Sequence, residues 1–147
     1  MAFLPLAGKV AIVTGAGSPI GLGRTMVFAL VKAGAKVAML DINKTWLEEC
    51  VQDIYEIAGE KCVSAQICDI SNPESAEKAV ENTVNTFGGI HILINNAGIM
   101  MTSETINNSR SINNRPYISN FWDIPASTWS KVIAVNVNGP FNMAKAS

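Results

Sequence analysis

Little in this sequence is charged. Charged residues make up 16% of it, 11 basic against 12 acidic, for a formal net charge of -1. A chain with no basic excess carries no electrostatic footprint for nucleic acid or for an anionic membrane, and neither partner is expected. No apolar run approaches the roughly 20 residues of a membrane-spanning helix. Cysteine occurs three times, at Cys50, Cys62 and Cys68. The odd number and the lack of a C-x-x-C spacing argue against both a disulfide framework and a zinc site, so no metal is expected. Free thiols of this kind belong to a reducing compartment, which points to the cytoplasm. Histidine occurs once, as His91, and a lone histidine in a buried strand context reads as a structural residue.

What the chain has in quantity is apolar residues, 48% of 147, enough for one domain with a real core. They fall in alternating patterns. Lys9 to Thr14 reads KVAIVT, a β-branched run that suits a buried strand. From Ile20 to Ala33, Leu22, Met26, Ala29, Leu30 and Ala33 make a helical stripe, with Gly34 to close it. Lys36 to Leu40 is a second strand. Lys44 to Ala58 sets Leu47, Cys50, Val51, Ile54 and Ala58 against a polar face, and Gly59 ends it. Cys62 to Ile67 is a weaker third strand. Ser71 or Asn72 can cap a helix whose first turn holds Pro73. Its inner face carries Ala76, Ala79, Val80, Thr83, Val84 and Phe87, and Gly88-Gly89 breaks it. Ile90 to Ile94 is a fourth strand. Met101 to Asn120 is rich in Asn and Ser and has no apolar period. It is expected to form a long loop, a mobile lip beside a ligand. A last helix from near Ser127 carries Trp129, Val132, Ile133, Val137, Phe141 and Ala144, with a bend at Gly139-Pro140. Trp129 is expected in the core.

Strand and helix alternate at intervals of roughly 25 residues, the mark of right-handed βαβ crossovers and a parallel sheet. The expected fold is α/β: a Rossmann-type doubly wound parallel sheet in three layers, α/β/α, of order 3-2-1-4 and truncated after about four strands.

The first strand runs into Thr14-Gly15-Ala16-Gly17-Ser18-Pro19-Ile20-Gly21-Leu22-Gly23. Glycines allow positive φ and let the backbone approach a phosphate. The helix that follows points free N–H groups and its positive dipole end at the same place. A pyrophosphate is the natural guest; a tight strand-to-helix turn without a ligand is the plainer reading. Asp41 closes strand two, 20 residues after Gly21. A carboxylate there can accept both hydroxyls of an adenosine ribose and would repel a 2′-phosphate. Its plainer task would be to cap the next helix, which Asn43 could also do.

Further segments fall on the right elements in the right order. Asp69-Ile70-Ser71 ends strand three, and Asn95-Asn96-Ala97-Gly98 follows strand four. Trp129 and Asn136, within Val135-Asn136-Val137-Asn138-Gly139, sit on the last helix. With the glycine turn, these resemble the short-chain dehydrogenases/reductases over essentially the whole chain. The resemblance implies NAD as cofactor in preference to NADP, held by Gly15, Ser18, Gly21, Leu22, Asp41, Asp69, Ile70, Asn96, Ala97 and Gly98. It implies that Asn136 belongs to the catalytic apparatus, holding a water that touches a lysine. It also implies hydride transfer to or from a small alcohol or carbonyl substrate, and a homo-oligomer.

The chemistry of that family further needs a Ser, and a Tyr with a Lys four residues on. The Tyr moves a proton at the substrate oxygen, while the Lys lowers the Tyr pKa and holds the ribose. Here Gly59 and Phe121 stand four residues after Tyr55 and Tyr117. Residues 1–147 are therefore expected to be a single NAD(P)-binding Rossmann domain, incomplete at the C-terminus. The leading function is an NAD-dependent oxidoreductase represented by its amino-terminal half. Two others stay open: a truncated, non-catalytic fragment that binds nucleotide or a partner, and a dinucleotide-sensing regulator.

Overall fold

The structure, a computed structural model, describes residues 4–59, 62–101, 122 and 124–147. The lip expected over Met101 to Asn120 lies outside them from residue 102 onward.

Buried apolar runs make the strands. β1 (Val10–Thr14) is buried at every position and β2 (Lys36–Asp41) at all but Lys36, as interior strands covered on both faces must be. β3 (Val63–Ile67) lies at an edge, where Val63 is buried and Ala65 and Ile67 are exposed. β4 (Ile92–Ile94) is shorter than expected and half-buried. All pairings are parallel, in the order β3-β2-β1-β4 that the alternating pattern predicts.

Three helices make the crossovers: α1 (Leu22–Lys32), α2 (Lys44–Ala58) and α3 (Pro73–Phe87). Asn43 starts α2, its Oδ1 accepting the Trp46 N–H at 3.1 Å, and Asn72 starts α3, its Oδ1 accepting the Ser75 N–H at 3.1 Å. Each cap takes up an N–H that a helix start leaves unpaired. Gly88 ends α3 at a φ of 91°, a left-handed conformation that suits glycine.

The last helical stretch departs from the sequence reading. It consists of α4 (Ala126–Ile133), a π-helical segment (Ala134–Asn138) and α5 (Gly139–Ala146). Pro140 has no N–H with which to close an α-helical bond onto residue 136, and the widened turn lies just before it. A π turn holds an extra residue and shifts the phase of the helix beyond it. Gly139 and Met143 therefore face the core, while Val137 and Phe141, expected inside, are 55% and 65% exposed. Trp129, also expected in the core, is 50% exposed.

Alternate strand residues point to opposite faces of the sheet, and each face has its own core. Ala11, Val13, Val37 and Met39 meet Val27 and Val31 of α1 and Leu47, Cys50 and Ile54 of α2. Ile12, Ala38 and Leu40 meet Ala76, Ala79 and Val80 of α3 and Met143 of α5. The result is the expected α/β/α sandwich. His91 is exposed and stands just before β4 rather than in a buried strand. It extends the pairing with β1: its N–H donates to the Val10 carbonyl at 2.9 Å, and its Nδ1 accepts the Val10 N–H at 3.1 Å. Among the described residues no helix is long and apolar enough to cross a membrane.

Candidate functional site

The carboxyl ends of the four strands open onto a cleft of about 480 Å³, the place where open parallel sheets receive ligands. Gly15, Ser18, Gly21 and Leu22 line it after β1; Leu40, Asp41, Ile42 and Trp46 at β2; Cys68, Asp69 and Ile70 after β3; Asn96, Ala97, Gly98 and Ile99 after β4. Every residue expected to hold a dinucleotide is on this wall. Asn136 is not, although its neighbour Val135 is.

The turn after β1 is shaped by close approach. Gly15 has a φ of 63°, and a Cβ on it would lie 2.9 Å from the Ala97 Cα. A Cβ on Gly23 would overlap the Gly15 carbonyl. Ser18 to Gly21 closes a tight turn in which the Gly21 N–H donates to the Ser18 carbonyl at 3.1 Å. α1 begins directly after it with no side-chain cap and no acidic residue in its first turn. Its leading N–H groups and positive dipole end are left for an anion.

Asp41 is 8% exposed. Its Oδ2 accepts the Gly17 N–H at 2.9 Å and its Oδ1 the Asn43 N–H at 3.0 Å. The carboxylate thus ties the glycine turn to the start of α2, while Asn43 does the capping. A carboxylate has about four acceptor sites, so the two bonds leave capacity for ligand hydroxyls. On the other side of β1, the buried Thr14 hydroxyl accepts the N–H groups of Asn96 and Ala97, both at 3.0 Å, and donates to the Ile94 carbonyl at 3.4 Å. The Asn96 side chain returns the link, its Nδ2 donating to the carbonyls of Thr14 at 2.9 Å and Gly15 at 3.2 Å.

The loop after β3 is held in the same way. Asp69 Oδ1 accepts the Ser71 N–H at 3.0 Å and its hydroxyl at 2.7 Å. Asn142 of α5 donates to the Ile70 carbonyl at 2.9 Å. Gly139 lets α5 approach that loop, since a Cβ there would stand 2.5 Å from the Ile70 Cδ1. Asn136, within the π-helical segment, clasps the loop after β4: its Oδ1 accepts the Ile99 N–H and its Nδ2 donates to the Ile99 carbonyl, both at 2.8 Å. The sequence alone leaves open whether Asn136 serves a helix irregularity or the site. It sits in the irregularity and orders a wall of the cleft.

Cys68 is the one thiol on the cleft wall among the described residues. Burial pushes it above its ordinary value, a hydrogen bond from Ser75 works the other way, and the Asp69 charge adds to the rise. It is a neutral wall group at neutral pH, not a nucleophile. Tyr55 packs against the α1 and α2 core on the far face of the sheet. Sequence reasoning missed Leu40, Ile42, Trp46, Cys68, Ile99 and Val135. The usable sign was Trp46, a large aromatic off the core stripe of its helix and just after Asp41.

A parallel sheet with a glycine turn, an acid at the end of β2 and a small-residue loop after β4 defines a dinucleotide-binding class of α/β protein. The short chain dehydrogenase family matches residues 9–147, and the chain belongs to it. It is 38% identical over 138 residues to an uncharacterized oxidoreductase of Thermotoga maritima, a match covering 94% of this chain and 46% of that protein. It is 32% identical over 133 residues to a cyclohexanol dehydrogenase of Acinetobacter sp., covering 90% and 45%. A solved short chain dehydrogenase/reductase from Burkholderia phymatum in complex with NAD superposes with a TM-score of 0.80 at 27% identity, over 97% of this chain and 43% of that one. The chain spans about half the length of the curated relatives it matches.

Proposed function

We propose that this protein is an NAD-dependent oxidoreductase that moves a hydride between nicotinamide and an alcohol or carbonyl substrate, and that residues 1–147 supply its dinucleotide site. The observation that carries the reading is Asp41: a little-exposed carboxylate on the cleft wall, braced by two backbone N–H groups beside the glycine turn. Hydroxyl donors of a ribose suit its remaining acceptor sites, and a 2′-phosphate would meet its charge. The Burkholderia phymatum protein in complex with NAD and the Acinetobacter cyclohexanol dehydrogenase support the cofactor and the substrate class.

In this reading the first turn of α1, with Gly21 and Leu22, faces the pyrophosphate and neutralises it without a side-chain cation. Gly15 and Ser18 complete that cradle. Asp69 and Ile70 border the adenine. Asn96, Ala97 and Gly98 present backbone and small side chains against which a second ribose can lie. Asn136 holds the loop at Ile99 in place. Bound nicotinamide would supply the hydride chemistry. The proton at the substrate oxygen needs a Tyr-x-x-x-Lys pair that these 147 residues do not contain. Calorimetric titration with NAD(H) and NADP(H) tests the proposal. Tighter binding of NAD(H) is expected; tighter binding of NADP(H), or no binding of either, would reject it.

A further inference from the structure

Trp46 is the one aromatic side chain on the cleft wall among the described residues. It stands in the first turn of α2 and is 41% exposed, while Leu47, Cys50 and Ile54 supply the buried stripe of that helix. Its place is fixed. Its N–H donates to the Asn43 cap at 3.1 Å. Its Cβ lies 3.1 Å from where a Cβ on Gly17 would be, so the glycine turn packs closely against it. Asp41 bonds both Gly17 and Asn43, which joins the carboxylate, the turn and the start of α2, where Trp46 stands, into one cluster. Ile42 and Leu22, 69% and 71% exposed, stand on the same wall. At the end of β2 the cleft wall thus offers a carboxylate with exposed apolar side chains, Ile42 and Trp46, close to it in the chain. That combination suits a flat heteroaromatic base joined to a hydroxylated sugar. It opposes a phosphate at the sugar, which carries about -1.5 to -2 charge at neutral pH. No lysine or arginine lines the cleft among the described residues.

We propose that Trp46 packs against the adenosine of the bound dinucleotide, beside the ribose that Asp41 receives in the reading above. The proposal rests on the dinucleotide reading of the cleft. The test uses the full natural chain with every other tryptophan replaced by Phe, so that Trp46 reports alone while keeping its native side chain. NAD⁺, NADP⁺, 5′-AMP and nicotinamide mononucleotide are titrated by fluorescence and calorimetry. NAD⁺ and 5′-AMP should change the Trp46 emission with the calorimetric midpoint, and nicotinamide mononucleotide should not. Trp46→Ala should weaken NAD⁺ at least about fivefold, the lower end of what an aromatic contact to a base supplies. It should weaken NADP⁺ by a similar factor, since both cofactors carry the same base, and Trp46→Phe should retain most of the affinity. NAD⁺ binding with a silent Trp46, an equal response to nicotinamide mononucleotide, or unchanged Kd values in Trp46→Ala would overturn the role of Trp46 alone. Calorimetry with no NAD⁺ binding to the unmodified protein would overturn the dinucleotide reading, and this inference with it.

Discussion

Thr14→Val is the sharpest test of how the cleft is built. Valine has the shape of threonine, so the buried volume at the end of β1 hardly changes, and Thr14 has 0% exposure. What changes is one hydroxyl with three partners: the N–H groups of Asn96 and Ala97 and the carbonyl of Ile94. The variant leaves two backbone donors facing a methyl group. An unsatisfied buried donor costs about 1–3 kcal/mol. Asn96 and Ala97 are half-buried, so water recovers part of that, and the expected loss is about 2–4 kcal/mol out of the 5–15 typical of a domain. Thr14→Ser keeps the hydroxyl and gives up one methyl, for about 1 kcal/mol. Urea unfolding followed by circular dichroism reads both, as a lower midpoint with an unchanged slope. Loosening the loop should also weaken NAD binding, because Asn96 and Ala97 line the cleft. If Thr14→Val lies within about 0.5 kcal/mol of the unmodified protein, or is milder than Thr14→Ser, the hydroxyl is not the link between β1 and the loop after β4.

Three further outcomes are expected. Gly23→Ala would stabilise an open helix by up to about 1 kcal/mol, but here the added Cβ meets the Gly15 carbonyl and the Asn96 side chain; a loss of about 1–3 kcal/mol is expected by denaturation, and a gain would refute the contact. Burial raises the Cys68 thiol, so the folded state holds that proton more tightly and the stability present at neutral pH is lost as pH rises past the ordinary 9.0. Unmodified protein should lose more stability between neutral pH and about pH 10 than Cys68→Ala, and equal losses would contradict the shift. Expressed as these 147 residues alone, the chain should self-associate, because β4 closes the strand order as an edge and Trp129, Val137 and Phe141 are exposed on one helical stretch; a monomer in sedimentation would refute this.

The strand order and the cleft were legible because the βαβ rule needs only local patterns. A buried run, a glycine turn and an amphipathic helix each announce themselves within about 15 residues, and right-handed crossovers then place every strand end on one edge. The ten cleft residues named from motifs all stand at or soon after strand ends, so the rule carried them to the wall together. The last helix was not legible in the same way. Its apolar positions count correctly for an unbroken helix, but the π turn before Pro140 shifts the phase, and Met143 rather than Phe141 is buried. Trp46 escaped because hydrophobic periodicity ranks a residue by its stripe, and its contact is with a turn nearly 30 residues earlier in the chain.

The bond from Gly17 to Asp41 marks the point where a motif ceases to describe the site. A motif names Asp41 as a ligand contact. In the folded chain Asp41 first satisfies the backbone of the turn and of Asn43. Thr14, Asn96, Asn136 and Asn142 do the same for the loops after β1, β3 and β4. Polar side chains around this cleft therefore shape its wall before any ligand arrives, which is what preorganised binding requires. One consequence is practical. Asp41→Ala would remove a contact to the ribose and a brace of the glycine turn at once, so a loss of NAD binding alone does not say which was lost. Asp41→Asn separates them in part: an amide has one acceptor oxygen and so leaves one backbone N–H facing a donor. If folding stability falls as far as binding does, the brace dominates. If NAD weakens and NADP strengthens at unchanged stability, the carboxylate acts on the ribose directly.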